Sequence, residues 1–219
     1  MAEEVELRAA AGFIEPAIRD EFPGLRLDWL TVGCRRPLDS PREVKRRLRS
    51  LSNRYRGASV VAMRTQPIPN AYRTFFRQIG LDPDTDRIPS EAAAVSRLLR
   101  GGFEPSTLID DARLIALVET GVPLWALDAS FVDPGGLGIR TSVAGDRLGP
   151  EVPLAAGRLA VADATSVHAV LFGDVVADHG VGSRTERIAL YALSVDGVPA
   201  IHVEEALWVC LEVLGSRGA

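Results

Sequence analysis

The stretch RIALYALSVDG (residues 187–197) decides the fold. It is a short β-rich run closed by an Asp-Gly turn, and four more of its kind precede it. These are PLWALD (123–128), LGIRTSV (137–143), GRLAVAD (157–163) and VHAVLFGDVV (167–176), separated by Gly, Asp and Pro. Before Pro123 the apolar period is helical instead. Residues 4–21 read as an amphipathic helix with Pro16 weakening its middle, and LRLDWLTVGC (25–34) alternates as a strand. Ser40-Pro41-Arg42-Glu43 opens a helix over roughly 41–55 whose Val44, Leu48 and Leu51 face inward, with Gly57 ending it. Helices follow in PNAYRTFFRQIG, in EAAAVSRLLRGG after Pro89, and in STLIDDARLIALVETG (106–121), each closing on Gly. IHVEEALWVCLEVL (201–214) supplies a final helix.

Helices, then strands, then a helix predict an α+β protein with a mainly antiparallel sheet rather than an alternating doubly wound one. The expectation is a single domain over 1–219. Its parts are an N-terminal helix and strand (1–40), a basic helical part (41–121), a β-rich part (122–200) and a C-terminal helix (201–219).

The 219 residues carry 47% hydrophobic and 25% charged side chains, enough for a full core. Twenty Gly and fourteen Pro put collagen-like and disordered classes aside. The apolar runs fall short of the roughly 18–20 residues that span a bilayer. The opening MAEEVELRAA is acidic where a signal peptide is basic and then apolar. Cys34 and Cys210 form no CxxC, which argues against a disulfide framework or a thiolate metal site. A cytoplasmic protein with no membrane partner is expected.

A net charge of −4 hides an asymmetry. Residues 42–100 hold 13 of the 25 basic side chains and five acidic ones, and every basic residue but Lys45 is Arg. A basic segment in an acidic protein points to a local anionic partner. The helix over 41–56 is the strongest such signal, with Arg46, Arg47, Arg49, Arg54 and Arg56 fanning outward and Tyr55 and Tyr72 nearby to stack on bases. A solvated arginine face accounts for the same pattern.

The chain has no GxGxxG, P-loop, GxSxG or HExxH. His168, His179 and His202 share no metal-ligand spacing; Asp174, Asp178 and His179 are hard ligand types, but a solvated turn explains them better, and no metal is expected. His168, inside VHAVLF, reads first as a satisfied core histidine. Asp110-Asp111 is a carboxylate pair of the kind used in acid–base work, although one solvated and one hydrogen-bonded carboxylate is the commoner outcome.

The order of AYRTFFRQIGLDPDTDRIPSEAAAVSRLLRGG (71–102), STLIDDARLIALVETGVPLWALD (106–128), LGIRTSVAGDRLG (137–149) and GRLAVADA (157–164) resembles the tRNA-editing module of the phenylalanyl-tRNA synthetase beta chain, the B-three/B-four domain. Positions that match the family pattern are Arg73, Gly80, Asp82, Pro83, Ser90, Glu91, Arg97, Asp110, Gly121, Pro123, Asp128, Arg140, Gly145, Gly157 and Asp163. The resemblance implies a three-layer sandwich of mainly antiparallel sheet packed with helices. It also implies a free-standing domain that hydrolyses mischarged aminoacyl-tRNA in trans, needing no cofactor. Its partner would be the 3′ aminoacyl end of tRNA and not DNA, with a transient synthetase contact as a further expectation. The chemistry is attack of a positioned water on an ester carbonyl.

Pocket candidates on this resemblance are Trp125, Asp128, Arg140, His168 and Tyr191, while the basic helix and Arg73 are candidates for tRNA contact. Arg73, Arg87 and Arg97 read equally as residues framing the fold, with Glu91 neutralising one of them. The sequence departs from the family in four places. Trp125 stands where the beta chain has a His, Arg113 where it has an Asn, Tyr191 where it has a pocket Glu, and LFGDVVADHGVG (171–182) where it has a glycine-rich loop. Two other readings stay open: a non-catalytic RNA-binding module, and an amino-acid or small-molecule binding domain.

Overall fold

The computed structural model describes residues 9–34, 39–55, 57, 62–150 and 152–215. Along these the chain runs β1 (Ala10–Ala11), β2 (Phe13–Ile14), α1 (Pro16–Glu21), β3 (Arg26–Gly33), α2 (Arg42–Arg54), α3 (Pro67–Gln78), α4 (Pro89–Arg100) and α5 (Leu108–Thr120). Then come β4 (Leu124–Asp128), β5 (Gly138–Thr141), β6 (Arg147–Leu148), β7 (Val152–Pro153), β8 (Leu159–Ala162), β9 (Val167–Val170), β10 (Arg187–Ser194) and α6 (Ala200–Gly215). No helix of the described residues is long and apolar enough to cross a membrane.

The expected α+β class with mainly antiparallel pairing is what the chain adopts. One sheet has the order β1-β3-β10-β4, antiparallel throughout; a second has the order β2-β5-β8-β9, in which only β2 and β5 run parallel. Period-two patterning gives the first sheet two apolar faces. Leu30, Leu124, Ala126, Ile188, Leu190 and Ala192 pack on α2, α5 and α6, which contribute Val44, Leu48, Ile115, Ala116, Leu207 and Cys210. On the other face Leu27, Trp125, Leu127, Ala189, Tyr191 and Leu193 meet Ile139, Val161 and Ala169 of the second sheet, with Tyr72, Phe75 and Phe76 of α3 closing the same core. The layers are therefore helices, sheet, sheet.

Turn residues mark the helix ends as anticipated: Gly101 and Gly121 adopt φ of 78° and 79° directly after α4 and α5. Two expectations fail. The helix over 4–21 is replaced, in its described part, by two short strands and α1. Gly12 causes the break. Its N–H donates to the Leu27 carbonyl at 2.7 Å, and a Cβ there would stand 2.6 Å from the Leu137 oxygen. The chain thus crosses between the sheets where a helix does not fit, and Pro16, suited to a first turn, starts α1. The single strand over 167–176 is likewise shorter. Phe172 adopts φ 61°, the Gly173 N–H donates to the Val170 carbonyl, and the returning chain bonds Val176 N–H to the His168 carbonyl at 2.8 Å.

Gly12→Ala is expected to destabilise the fold by about 1–3 kcal/mol, because the new methyl meets the Leu137 backbone oxygen as well as the Leu27 side chain, and the former cannot turn away. A urea midpoint equal to that of the parent protein would show that the crossing has room to spare.

Candidate functional site

The structure separates the sequence-based candidates. Trp125 and Tyr191 stack at 5.5 Å between the sheets and are buried, and Phe172 packs on Trp125 at 5.9 Å and on Phe76 at 5.2 Å. They belong to the core, not to a solvent-open pocket, because Phe172 occupies the space beside them. Arg140 is committed to Asp146 through two hydrogen bonds of 2.6 and 2.9 Å. Asp128 ends β4 as the cap of the Ala129–Phe131 turn: it accepts from Ser130 N–H, from the Ser130 hydroxyl and, at 2.7 Å, from the Thr185 hydroxyl. Asp111 is buried and accepts from Ser40 and Ser106, while Asp110 is exposed at the start of α5, so that pair takes the bland course.

His168 has a different setting. It is fully buried on β9, with Nε2 3.0 Å from Asp163 Oδ2 and Nδ1 3.0 Å from His179 Nδ1. Asp163, also fully buried, accepts from the N–H groups of Asp133, Thr165 and Ser166 and from the Thr165 hydroxyl. Burial opposes its ionisation, but the Asp133, Thr165 and Ser166 N–H donors and the His168 ring outweigh burial and hold the carboxyl at about 2. Burial pushes the His168 imidazole below 6.5 in spite of Asp163, so the ring is neutral at pH 7.

The tautomers follow from this network. An ionised Asp163 requires the His168 proton on Nε2, so His168 Nδ1 accepts from His179 Nδ1–H. In the neutral His179 ring the free lone pair is then the one on Nε2. His179 is half-buried, sits in the Ala177–His179 turn and stacks on Phe131 at 4.9 Å, and Phe131 is 46% exposed. Carboxylate, buried imidazole and surface imidazole thus form a relay ending in a base that water can reach, the arrangement used in general-base catalysis. Asp128 acts on it at one remove, by capping the turn that carries Phe131.

In the sequence His168 is a pocket candidate and Asp163 a position matching the resemblance, whereas His179 stands out only beside Asp174 and Asp178 as a hard ligand type. Among the described residues no group of three or more His, Cys, Asp or Glu could hold a metal ion. The missed signal was the Phe-Gly-Asp reversal between the histidines, which folds His179 back onto His168.

The arginines also divide. Arg46 and Arg49 are exposed on α2. Arg47 is a strut, bonded to Glu119 at 3.0 and 2.7 Å and to Glu212 at 3.2 Å. Arg73 is no surface cation: it is 6% exposed and bonded to Glu91 at 2.9 and 3.0 Å and to Asp84 at 2.8 Å, so of its two readings the framing one fits. The Arg54 side chain and Arg56 lie outside the described residues. α2 packs on the first sheet from the side opposite the second sheet, which carries the relay. No protein-family model matches the chain, and no curated protein is significantly similar to it.

Two outcomes test these assignments. Both His168 and Asp163 have folded-state values below their unfolded ones, so the unfolded chain binds more protons and acid destabilises the fold. Stability is expected to fall below pH 6.5 through His168, and again from 3.8 towards about 2 through Asp163. In urea midpoints against pH, Asp163→Asn should shrink the second step, to which Asp84, Asp128 and Asp146 also contribute because their hydrogen-bonded carboxyls are held below the ordinary value too; a second step of unchanged size would refute the assignment. Arg73→Met should cost about 3 kcal/mol by stranding Glu91, and adding Glu91→Met should restore much of it. Additive losses in the double-mutant cycle would mean that the two are not coupled.

Proposed function

We propose that this protein is an editing-type ester hydrolase that acts on mischarged aminoacyl-tRNA, with His179 as general base. The observation that carries the catalytic part is the relay from Asp163 through His168 to His179. Resemblance of residues 71–164 to the synthetase editing module supports the substrate class, and the exposed Arg46 and Arg49 support an RNA partner.

In this reading His179 Nε2 takes a proton from water while the oxygen attacks the aminoacyl carbonyl. The imidazolium that forms is stabilised by His168 and the Asp163 carboxylate. Collapse of the tetrahedral intermediate breaks the bond to the ribose oxygen, which recovers the proton from His179. Free amino acid and uncharged tRNA leave. Because His179 stands at the surface, the ester need not enter the filled interior beside Trp125 and Tyr191. That filled interior favours one competing reading, an RNA-binding module without hydrolysis.

The test is release of the amino acid from a panel of misacylated tRNAs by the purified chain. At least one pair should lose its ester, and His179→Ala should slow that loss by about a hundredfold or more. Binding should weaken steeply with salt and fall when Arg46 and Arg49 become Glu. Salt-sensitive binding with no ester loss for any pair would leave the non-catalytic module. Hydrolysis indifferent to His179 would remove the relay from the mechanism.

A further inference from the structure

A groove of about 1310 Å³ opens between β3 and α6. Arg26, Asp28 and Leu30 stand on its strand wall, and Glu204, Leu207, Trp208 and Leu211 on its helix wall. The turn from β10 into α6 borders one end with Ser194 and Asp196. The register fixes the order along it, since Arg26 lies opposite Ser194, Asp28 opposite Ala192 and Leu30 opposite Leu190. From Arg26 to Leu30 the strand advances about 13 Å, and from Ala200 to Leu211 the helix advances about 16 Å, so the two walls match in length.

The fold leaves the polar groups of these walls unused. No side-chain hydrogen bond or ion pair engages Asp28, Asp196, Glu204 or Arg26 among the described residues, so three free carboxylates stand against one guanidinium. Burial raises the Asp28 carboxyl above its ordinary 3.8, Arg26 offsets part of this, and Glu204 adds to it. Asp28 and Glu204 are therefore near enough to repel each other across the groove. An independent sign of a ligand comes from Ser194, which is only 4% exposed and whose hydroxyl has no hydrogen-bond partner among the described residues. The unpaired hydroxyls of Ser90 and Tyr191 are sealed from any surface; that of Ser194 is not, and the groove is the space it opens to. Further along, the walls turn apolar at Leu30, Leu207 and Leu211, and Trp208 is 67% exposed.

We infer that this groove binds a linear aliphatic polyamine with two or three ammonium groups. One ammonium lies at the end bordered by the turn and donates to Asp196 and to the Ser194 hydroxyl. The next sits between Asp28 and Glu204 and removes their repulsion. The methylenes run along Leu30, Leu207 and Leu211, and a third ammonium rests on the Trp208 ring. An anion would meet three carboxylates, and a neutral apolar molecule would leave those carboxylates and Ser194 without partners. A bare metal ion would leave the apolar stretch uncovered, and no group of three metal-ligating side chains exists among the described residues. The groove lies on the helical side of the first sheet, whereas the relay belongs to the second sheet, so the inference does not rest on the proposed hydrolysis.

The test is calorimetric titration of the full chain with spermidine at low salt, beside n-butylamine and magnesium chloride. Spermidine should bind at a single saturable site, at least tenfold more tightly than the monoamine or the metal ion. Asp28→Asn combined with Glu204→Gln breaks no bond of the fold, so the double variant should keep at least the parent Tm and bind spermidine about tenfold or more weakly. Ser194→Ala should weaken binding by about threefold or more. Glu205→Gln removes an exposed carboxylate beside the groove rather than in it, and should leave the affinity within about twofold of the parent. The inference falls if spermidine does not saturate one site, or if magnesium binds as tightly. It falls equally if the double variant or Ser194→Ala binds like the parent, or if Glu205→Gln weakens binding as much as the double variant does.

Discussion

Strand β10 is hydrogen-bonded along both edges and buried on both faces from Ile188 to Ser194, and the other layers are positioned against it. Its even-numbered side chains Ile188, Leu190 and Ala192 hold the helical layer, and its odd-numbered Ala189, Tyr191 and Leu193 hold the second sheet. Burying one large side chain contributes roughly 1.5–3 kcal/mol, and here both cores draw on one eight-residue strand. A register slip of one residue would exchange the two sets and place Tyr191 among the helices. The opposition of Tyr191 to Trp29 on one side and to Trp125 on the other guards against that, because neither Trp has a counterpart on the helix-facing side of the sheet.

Charge is distributed by the same demand for burial. The basic excess of residues 42–100 does not all reach the surface. Arg73 is desolvated and ties α3 to the start of α4 through Glu91, and Arg47 joins α2 to α5 and α6. Buried guanidinium groups need carboxylates close by, and the acidic residues of α4, α5 and α6 provide them. The cationic surface left for a polyanion is accordingly smaller than the count of arginines indicates.

What could be read from the sequence follows from the range of the physics involved. The runs around Trp125, Ile139, Val161 and Tyr191 alternate with the pleat, and Gly101 and Gly121 stop their helices by a local conformational rule, so class and most elements were legible. Gly12 was not, because the reason for a glycine there is the Leu137 carbonyl, far away in the chain. The reversal at Phe172 was hidden by an apolar run that continues through the turn. Its aromatic ring is held by Tyr72, Phe75, Phe76 and Trp125, contacts that no local pattern announces. Of the candidate site, His168 was visible as a residue, whereas its pairing with His179 arises only once that reversal exists.

The relay has an order of rigidity that bears on what it can do. Asp163 is fixed by donors from Asp133, Thr165, Ser166 and His168, all within 3.0 Å, so its carboxylate has one orientation. His168, wholly enclosed, must then point Nε2 at Asp163 and offer Nδ1 outward. Only His179 stands where solvent reaches, steadied by the Phe131 ring and by the His168 lone pair. Solvent is thus excluded from the inner members and reaches only the last one, where the proposed reaction exchanges a proton with water. That surface position is what the proposed hydrolysis asks of His179: a base held in one tautomer by its neighbours and open to water at its other nitrogen.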